Sequence, residues 1–135
     1  MKPTQLIDAD HIRLMAQAAL DGLAAELEQR GEPNGANALR DDGSRNVVME
    51  FLTPPLGLAE IVALTAMRAG DAAAFALVAV WARTVGQQAI SSLMILKTAQ
   101  EAGDGSTPLL LGGLILIAVA RAARAIAEQA EGVLG

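Results

Sequence analysis

The chain has 135 residues, no cysteine, a single histidine and a net charge of −5. That is the size of one domain with a substantial core, and the missing cysteines exclude disulfides, thiolate catalysis and cysteine zinc sites, which fits a reducing, cytoplasmic compartment. Basic residues are scattered singly and the aromatics are only Phe51, Phe75 and Trp81, so neither a basic stripe nor a stacking platform exists and a nucleic-acid partner is excluded.

The N-terminus reaches Asp8 and Asp10 before any apolar run of signal-peptide length, so no export is expected. Either aspartate can cap a first helix, where a carboxylate accepts from free backbone N–H groups and suits the positive end of the dipole. Ile12, Met15, Ala16, Ala19, Leu20, Leu23 and Leu27 then recur at three-and-four spacing, which predicts an amphipathic helix to about Arg30. Gly31 and Pro33 end it.

From Gly31 to Asn46 the sequence is polar and rich in turn formers, with Asn34-Gly35 and Asp42-Gly43 as local signals, so a long polar loop is expected. A short helical turn around Ala36 to Arg40 fits inside it. Such a loop is functional or mobile in a domain of this size. Val47 to Thr53 is ambiguous: β-branched Val47 and Val48 with Phe51 suit a strand, but no second strand candidate exists to pair with it. A short helix capped by Asn46 is favoured, and a strand would have to pair with another subunit.

Thr53-Pro54-Pro55 opens a second main helix by a cap followed by proline. Leu58, Ile61, Val62 and Leu64 form its apolar side, and it stops at Gly70. The third helix runs from Ala72 to Ala102 and would span roughly 45 Å. It must therefore bend near Gly86 or project towards another subunit. Phe75, Leu77, Val78, Val80, Trp81 and Val85 leave its first half almost without a polar side, which predicts burial all round. After Gly103 to Ser106, Thr107-Pro108 opens the last helix, whose stretch Leu109 to Ala120 carries no charge. Arg124 and Glu128 are placed for an i,i+4 pair.

These elements predict an all-α fold, a single domain over 1–135 in which four main helices form a bundle around a long central helical hairpin, with 31–46 as a polar loop. Two helices apolar nearly all round need more cover than the other two supply, so a homo-oligomer is expected. Gly112 and Gly113, with Ala118, Ala122 and Ala123, allow close helix approach, either between subunits or within the hairpin's own seam. A membrane-spanning hairpin is disfavoured. The uncharged run from Gly105 to Ala120 gives roughly 24 Å of helix against a hydrocarbon core of roughly 30 Å, and Arg83 divides the other run.

No catalytic, metal or cofactor motif stands out. His11 has only Asp8 and Asp10 beside it and reads as a solvated surface residue. Ser91-Ser92 has no base, Asp41-Asp42-Gly43-Ser44 lacks the ligand spacing of a calcium loop, and Gly103 to Thr107 lacks the lysine of a phosphate loop. The expected function is therefore non-enzymatic: a bacterial or phage helical protein acting as homo-oligomeric scaffold, adaptor or inhibitor. Its surface would be the acidic first helix and the polar loop, with Glu32, Asp41 and Asp42 as contact residues and Gly112 and Gly113 at the subunit interface. One alternative is a small-ligand pocket between the second and third helices, where Arg83, Gln87 and Glu60 would meet an anionic or carbonyl-bearing ligand. The other is a small membrane-active hairpin.

Overall fold

The computed structural model describes residues 9–53, 72–101 and 107–134. Among them are three long helices and two short ones: α1 (Ala9–Gln29), α2 (Pro33–Leu39), α3 (Asp42–Phe51), α4 (Ala72–Glu101) and α5 (Thr107–Leu134). The described residues contain no strand. The second main helix, and with it Glu60, lies outside them, and so does its expected tight connection to α4.

α1 follows its sequence pattern. Ile12, Ala16, Leu20, Leu23, Ala24 and Leu27 are buried, while Arg13, Asp21 and Glu28 face water. Its C-terminal end is closed by two backbone bonds: Gly31 N–H to the Glu28 carbonyl at 3.0 Å and Glu32 N–H to the Leu27 carbonyl at 2.8 Å. That paired closure needs a left-handed residue between its arms. Gly31 supplies it with φ of 77°.

The stretch 31–46 is not a polar loop. Pro33 stands in the first turn of α2, where its fixed φ is already helical and its missing N–H would have had no helical partner. Asp41 caps α3, its carboxylate accepting from Gly43 N–H at 3.0 Å. Composition misleads here because most polar residues lie outward while Ala36, Leu39, Val48 and Leu52 are buried beneath them, and the one buried polar side chain of the stretch, Ser44, donates its hydroxyl to the Ala38 carbonyl at 2.7 Å. Asn34-Gly35 and Asp42-Gly43, which look like turns, start helices. A Cβ on Gly35 would come within 3.3 Å of Leu27 Cδ1 and 3.4 Å of Leu114 Cδ1. Residues 47–51 continue α3, so the helix is correct and the strand is not, although the cap is Asp41 rather than Asn46.

α5 is the element on which α1, α2, α3 and α4 all pack. Its sequence permits this because Ala118, Ala122, Ala123, Ala127 and Ala130 are small as well as buried, letting neighbours approach on several sides around Val119 and Ile126. α4 runs antiparallel to it. A Cβ at Gly86 would sit 3.6 Å from Ala123 Cβ, one at Gly113 3.5 Å from Leu93 Cδ1, and one at Gly112 3.6 Å from Leu96 Cδ1. α4 passes Gly86 as one uninterrupted helix of 30 residues. Among the described residues no helix is long and apolar enough to cross a membrane.

Candidate protein-interaction surface

One face of α4 belongs to the core. Ala74, Phe75, Val78, Ala79, Ala82 and Ala89 are buried, with Val85, Leu93 and Leu96 packed partly against them. The opposite face is not covered by any other described element. Leu77 is 49% exposed, Val80 64%, Met94 64% and Ile95 70%. The expectation that the first half of this helix is buried all round is therefore wrong. Among the described elements α4 has one substantial neighbour, α5, and a single neighbour can cover only one side of a cylinder.

The exposed positions form a stripe. Leu77, Val80, Thr84, Gln87, Ser91, Met94 and Thr98 follow alternating steps of three and four, with Gln88 and Ile95 filling the same sector and half-buried Trp81 at its edge, packed against the core. No residue of the stripe is charged. Thr84 Oγ1 donates to the Val80 carbonyl at 2.8 Å and Thr98 Oγ1 to the Met94 carbonyl at 3.0 Å. Each hydroxyl hydrogen is thereby used within the helix, so these threonines ask little of a partner.

Beside the stripe lies an apolar groove of about 430 Å³. Val47 and Phe51 of α3 form one wall, Ser92, Ile95 and Leu96 of α4 the other, and Gly112, Ile115 and Leu116 of α5 the floor. Phe51 is itself half exposed and also borders Thr84, Gln88 and Ser91. Stripe and groove thus adjoin: Met94 and Ile95 lie beside the groove, while Leu77 and Val80 form a second apolar patch separated from it by Thr84, Gln87, Gln88 and Ser91.

Of the expected ligand residues on α4, Gln87 belongs to the stripe and Arg83 lies at its edge. Arg83 and Gln87 line a shallow cleft of about 290 Å³, but its second wall is α5, with Ala120, Arg121 and Arg124. The guanidiniums here are occupied. Arg83 donates to Glu131 through Nε at 3.0 Å and Nη2 at 2.6 Å, Arg124 Nε donates to Glu128 at 2.8 Å, and Arg121 is bonded to Glu26 of α1. The hydrogen bond from Arg83 holds the Glu131 carboxyl below the ordinary range, and the bond from Arg121 does the same for Glu26. The two arginines shift upward in turn, so both members of each pair stay charged.

The acidic residues expected at a contact surface have local duties. Asp41 is the α3 cap and Asp42 pairs with Arg45 at 2.6 Å. Glu32 precedes α2 and is exposed, its side chain making no capping bond. Gly112 and Gly113 lie against Leu96 and Leu93 of α4, within the hairpin seam. His11 is half buried, its Nε2 3.1 Å from the Gln129 amide nitrogen, because α1 packs along α5. It is not the solvated residue that its sequence neighbours imply.

What the sequence reading misses is the stripe. Its signal was present in the three-and-four spacing from Leu77 to Thr98, masked by a helix whose inner face is equally apolar. No family model, curated protein or solved structure matches the chain.

Proposed function

We propose that this chain is a non-enzymatic interaction protein, a homo-oligomeric scaffold or adaptor, and that it works through the outer face of α4. The observation that carries the proposal is an uncharged stripe running along a helix whose other face is fully committed to the core. Leaving Val80, Met94 and Ile95 in water forgoes roughly 1.5 to 3 kcal/mol for each side chain, which a partner would recover. The acidic α1 face exposes a single large apolar side chain, Leu14, and the 31–46 stretch none, which supports the outer face of α4 over them.

The test uses Val80→Glu combined with Ile95→Glu, two exposed positions where charge leaves the fold intact but opposes burial. In cell extract the wild-type chain should migrate with a mass greater than its own, and the double variant as the free chain with unchanged helicity. Equal migration of the two would sink the proposal.

A second reading, a small-ligand site, is favoured only by the cleft at Arg83 and Gln87. An anionic ligand there must first displace Glu131 from Arg83. Arg83→Met should therefore abolish any ligand-induced rise in melting temperature, and no rise in the wild type with carboxylate or phosphate probes would remove the reading.

A further inference from the structure

We propose that Asn34 is a modification site, where the side-chain amide is lost spontaneously through a cyclic imide with the Gly35 nitrogen and the isoaspartyl product unseats α2. The reaction needs an asparagine whose following main-chain nitrogen is free to attack the side-chain carbonyl carbon, and a following residue with no Cβ in the way. Asn34-Gly35 is the one Asn-Gly step in the chain, and Asn34 is exposed. The Gly35 N–H stands in the first turn of α2, where a helix offers its donors no partner. Of the two carbonyls behind it, Gly31 and Glu32, the second accepts from Ala36 N–H at 3.3 Å and neither accepts from Gly35. No side chain closes this end either, since Glu32 makes no capping bond. Among the described residues the Gly35 N–H is therefore without an acceptor.

Two other steps with the same spacing of carbonyl and glycine nitrogen show what protection looks like. In Asp42-Gly43 the Gly43 N–H donates to the Asp41 carboxylate at 3.0 Å, and the Asp42 carboxylate is held by Arg45 at 2.6 Å. In Asp21-Gly22 the glycine lies in the interior of α1, where its N–H belongs to the helical ladder. Only at Asn34 are the nitrogen and the carbonyl both unengaged. A helical turn still has to open before the ring closes, and α2, with seven residues and no cap, frays at this end.

The Gly35 nitrogen bonds to the Asn34 side-chain carbonyl carbon, the amide C–N bond breaks, and ammonia leaves with the proton that Gly35 gives up. Water then opens the imide at either carbonyl. Opening at the side-chain carbon gives aspartate, whose charge suits the first turn of a helix. Opening at the main-chain carbon gives isoaspartate, which adds one carbon to the main chain directly before Gly35. There is no room for that shift: a Cβ on Gly35 would already meet Leu27 Cδ1 at 3.3 Å and Leu114 Cδ1 at 3.4 Å, and Ala36 next to it is fully buried. The isoaspartyl link therefore lifts α2 from α1 and α5.

The test keeps the full-length protein at mildly alkaline pH and samples it over time. Trypsin cuts after Arg30 and Arg40, releasing one peptide, 31–40, that carries both Asn34 and Asn37. Mass spectrometry of that peptide should show Asn34 converting in the folded chain within about tenfold of its rate in the free peptide, because a fraying end opens at little cost. Asn37 should stay intact, and Asn34→Gln should not acquire the added charge. A folded-chain rate more than about tenfold below that of the peptide would mean that the Gly35 nitrogen is held, and would overturn the site. Conversion of Asn37 at the same pace would trace the change to unfolded chain and overturn it as well. The charge-shifted fraction, isolated by anion exchange, should melt below Asn34→Asp, which carries the aspartate product alone. Equal midpoints would overturn the release of α2 and leave the site standing.

Discussion

α1 and α4 are both long helices packed on α5, and their sequences announce burial in different ways. α1 alternates apolar and polar positions at helical spacing, and apart from exposed Leu14 its large apolar side chains face the core. α4 is apolar on both sides, but α5 covers only one. Periodicity therefore specifies which way a helix faces. Uniform apolarity specifies only that cover is needed, and among the described elements α4 receives that cover on one side.

The widest separation between the two faces of α4 is expected from truncation. Phe75→Ala removes the largest fully buried side chain and should lower unfolding free energy by about 3 to 5 kcal/mol. Ile95→Ala, on the outer face, should change it by less than about 0.5 kcal/mol in dilute solution, with its effect appearing in assembly instead. Chemical denaturation at low and high protein concentration measures both. A large loss for Ile95→Ala in dilute protein would mean that the outer face is covered within one chain.

The region joined to α1 separates helix capping from surface charge. Asp41→Ala should cost about 1 kcal/mol, because Gly43 N–H loses its acceptor. Asp41→Asn should restore most of that. Asp42→Ala removes only an exposed pair with Arg45 and should be close to neutral. Equal losses at 41 and 42 would refute the assigned cap. Smaller and of opposite sign is Gly22→Ala, in the exposed face of α1 where an added Cβ meets nothing within 4 Å. It should stabilise by about 0.5 to 1 kcal/mol, as seen in a raised thermal midpoint.

Much of the helical architecture was legible in the residues. The amphipathic spacing of α1, the Gly31 stop and the Arg124–Glu128 pair, observed at 2.8 Å, all follow from local rules. The stretch 31–46 did not, because burial of four small or aliphatic side chains, Ala36, Leu39, Val48 and Leu52, outweighs turn propensity, and that burial depends on where α1 and α5 lie. The placement of Arg83 was half legible. Its position on an apolar helix marked it as unusual, but its partner Glu131 is 48 residues away in sequence and is brought close only by the hairpin. The stripe on α4 was written in the spacing, yet reading it required knowing which face α5 takes.

The two helices also differ in how charge ties them to the core, and pH should expose that difference. α1 is bonded through Glu26 to Arg121 and through Glu28 to Arg40, whereas among the described residues α4 has one such tie, Arg83 with Glu131. In each case hydrogen bonding from the arginine holds the carboxyl below its ordinary value. A carboxyl depressed in the folded state binds protons less readily than in the unfolded chain, so its stabilisation is complete above the unfolded value, roughly 4.3, and is lost as pH falls through the folded one. Stability should thus be level from about pH 6 to 8 and fall below about pH 4.5. All three pairs are more than a third exposed, so added salt should flatten that fall. Glu131→Gln should lie below wild type at neutral pH and merge with it in acid, with hydrogen exchange rising mainly in the first half of α4. If the gap between Glu131→Gln and wild type persisted unchanged at pH 3, the Arg83 tie would be a matter of packing and not of charge.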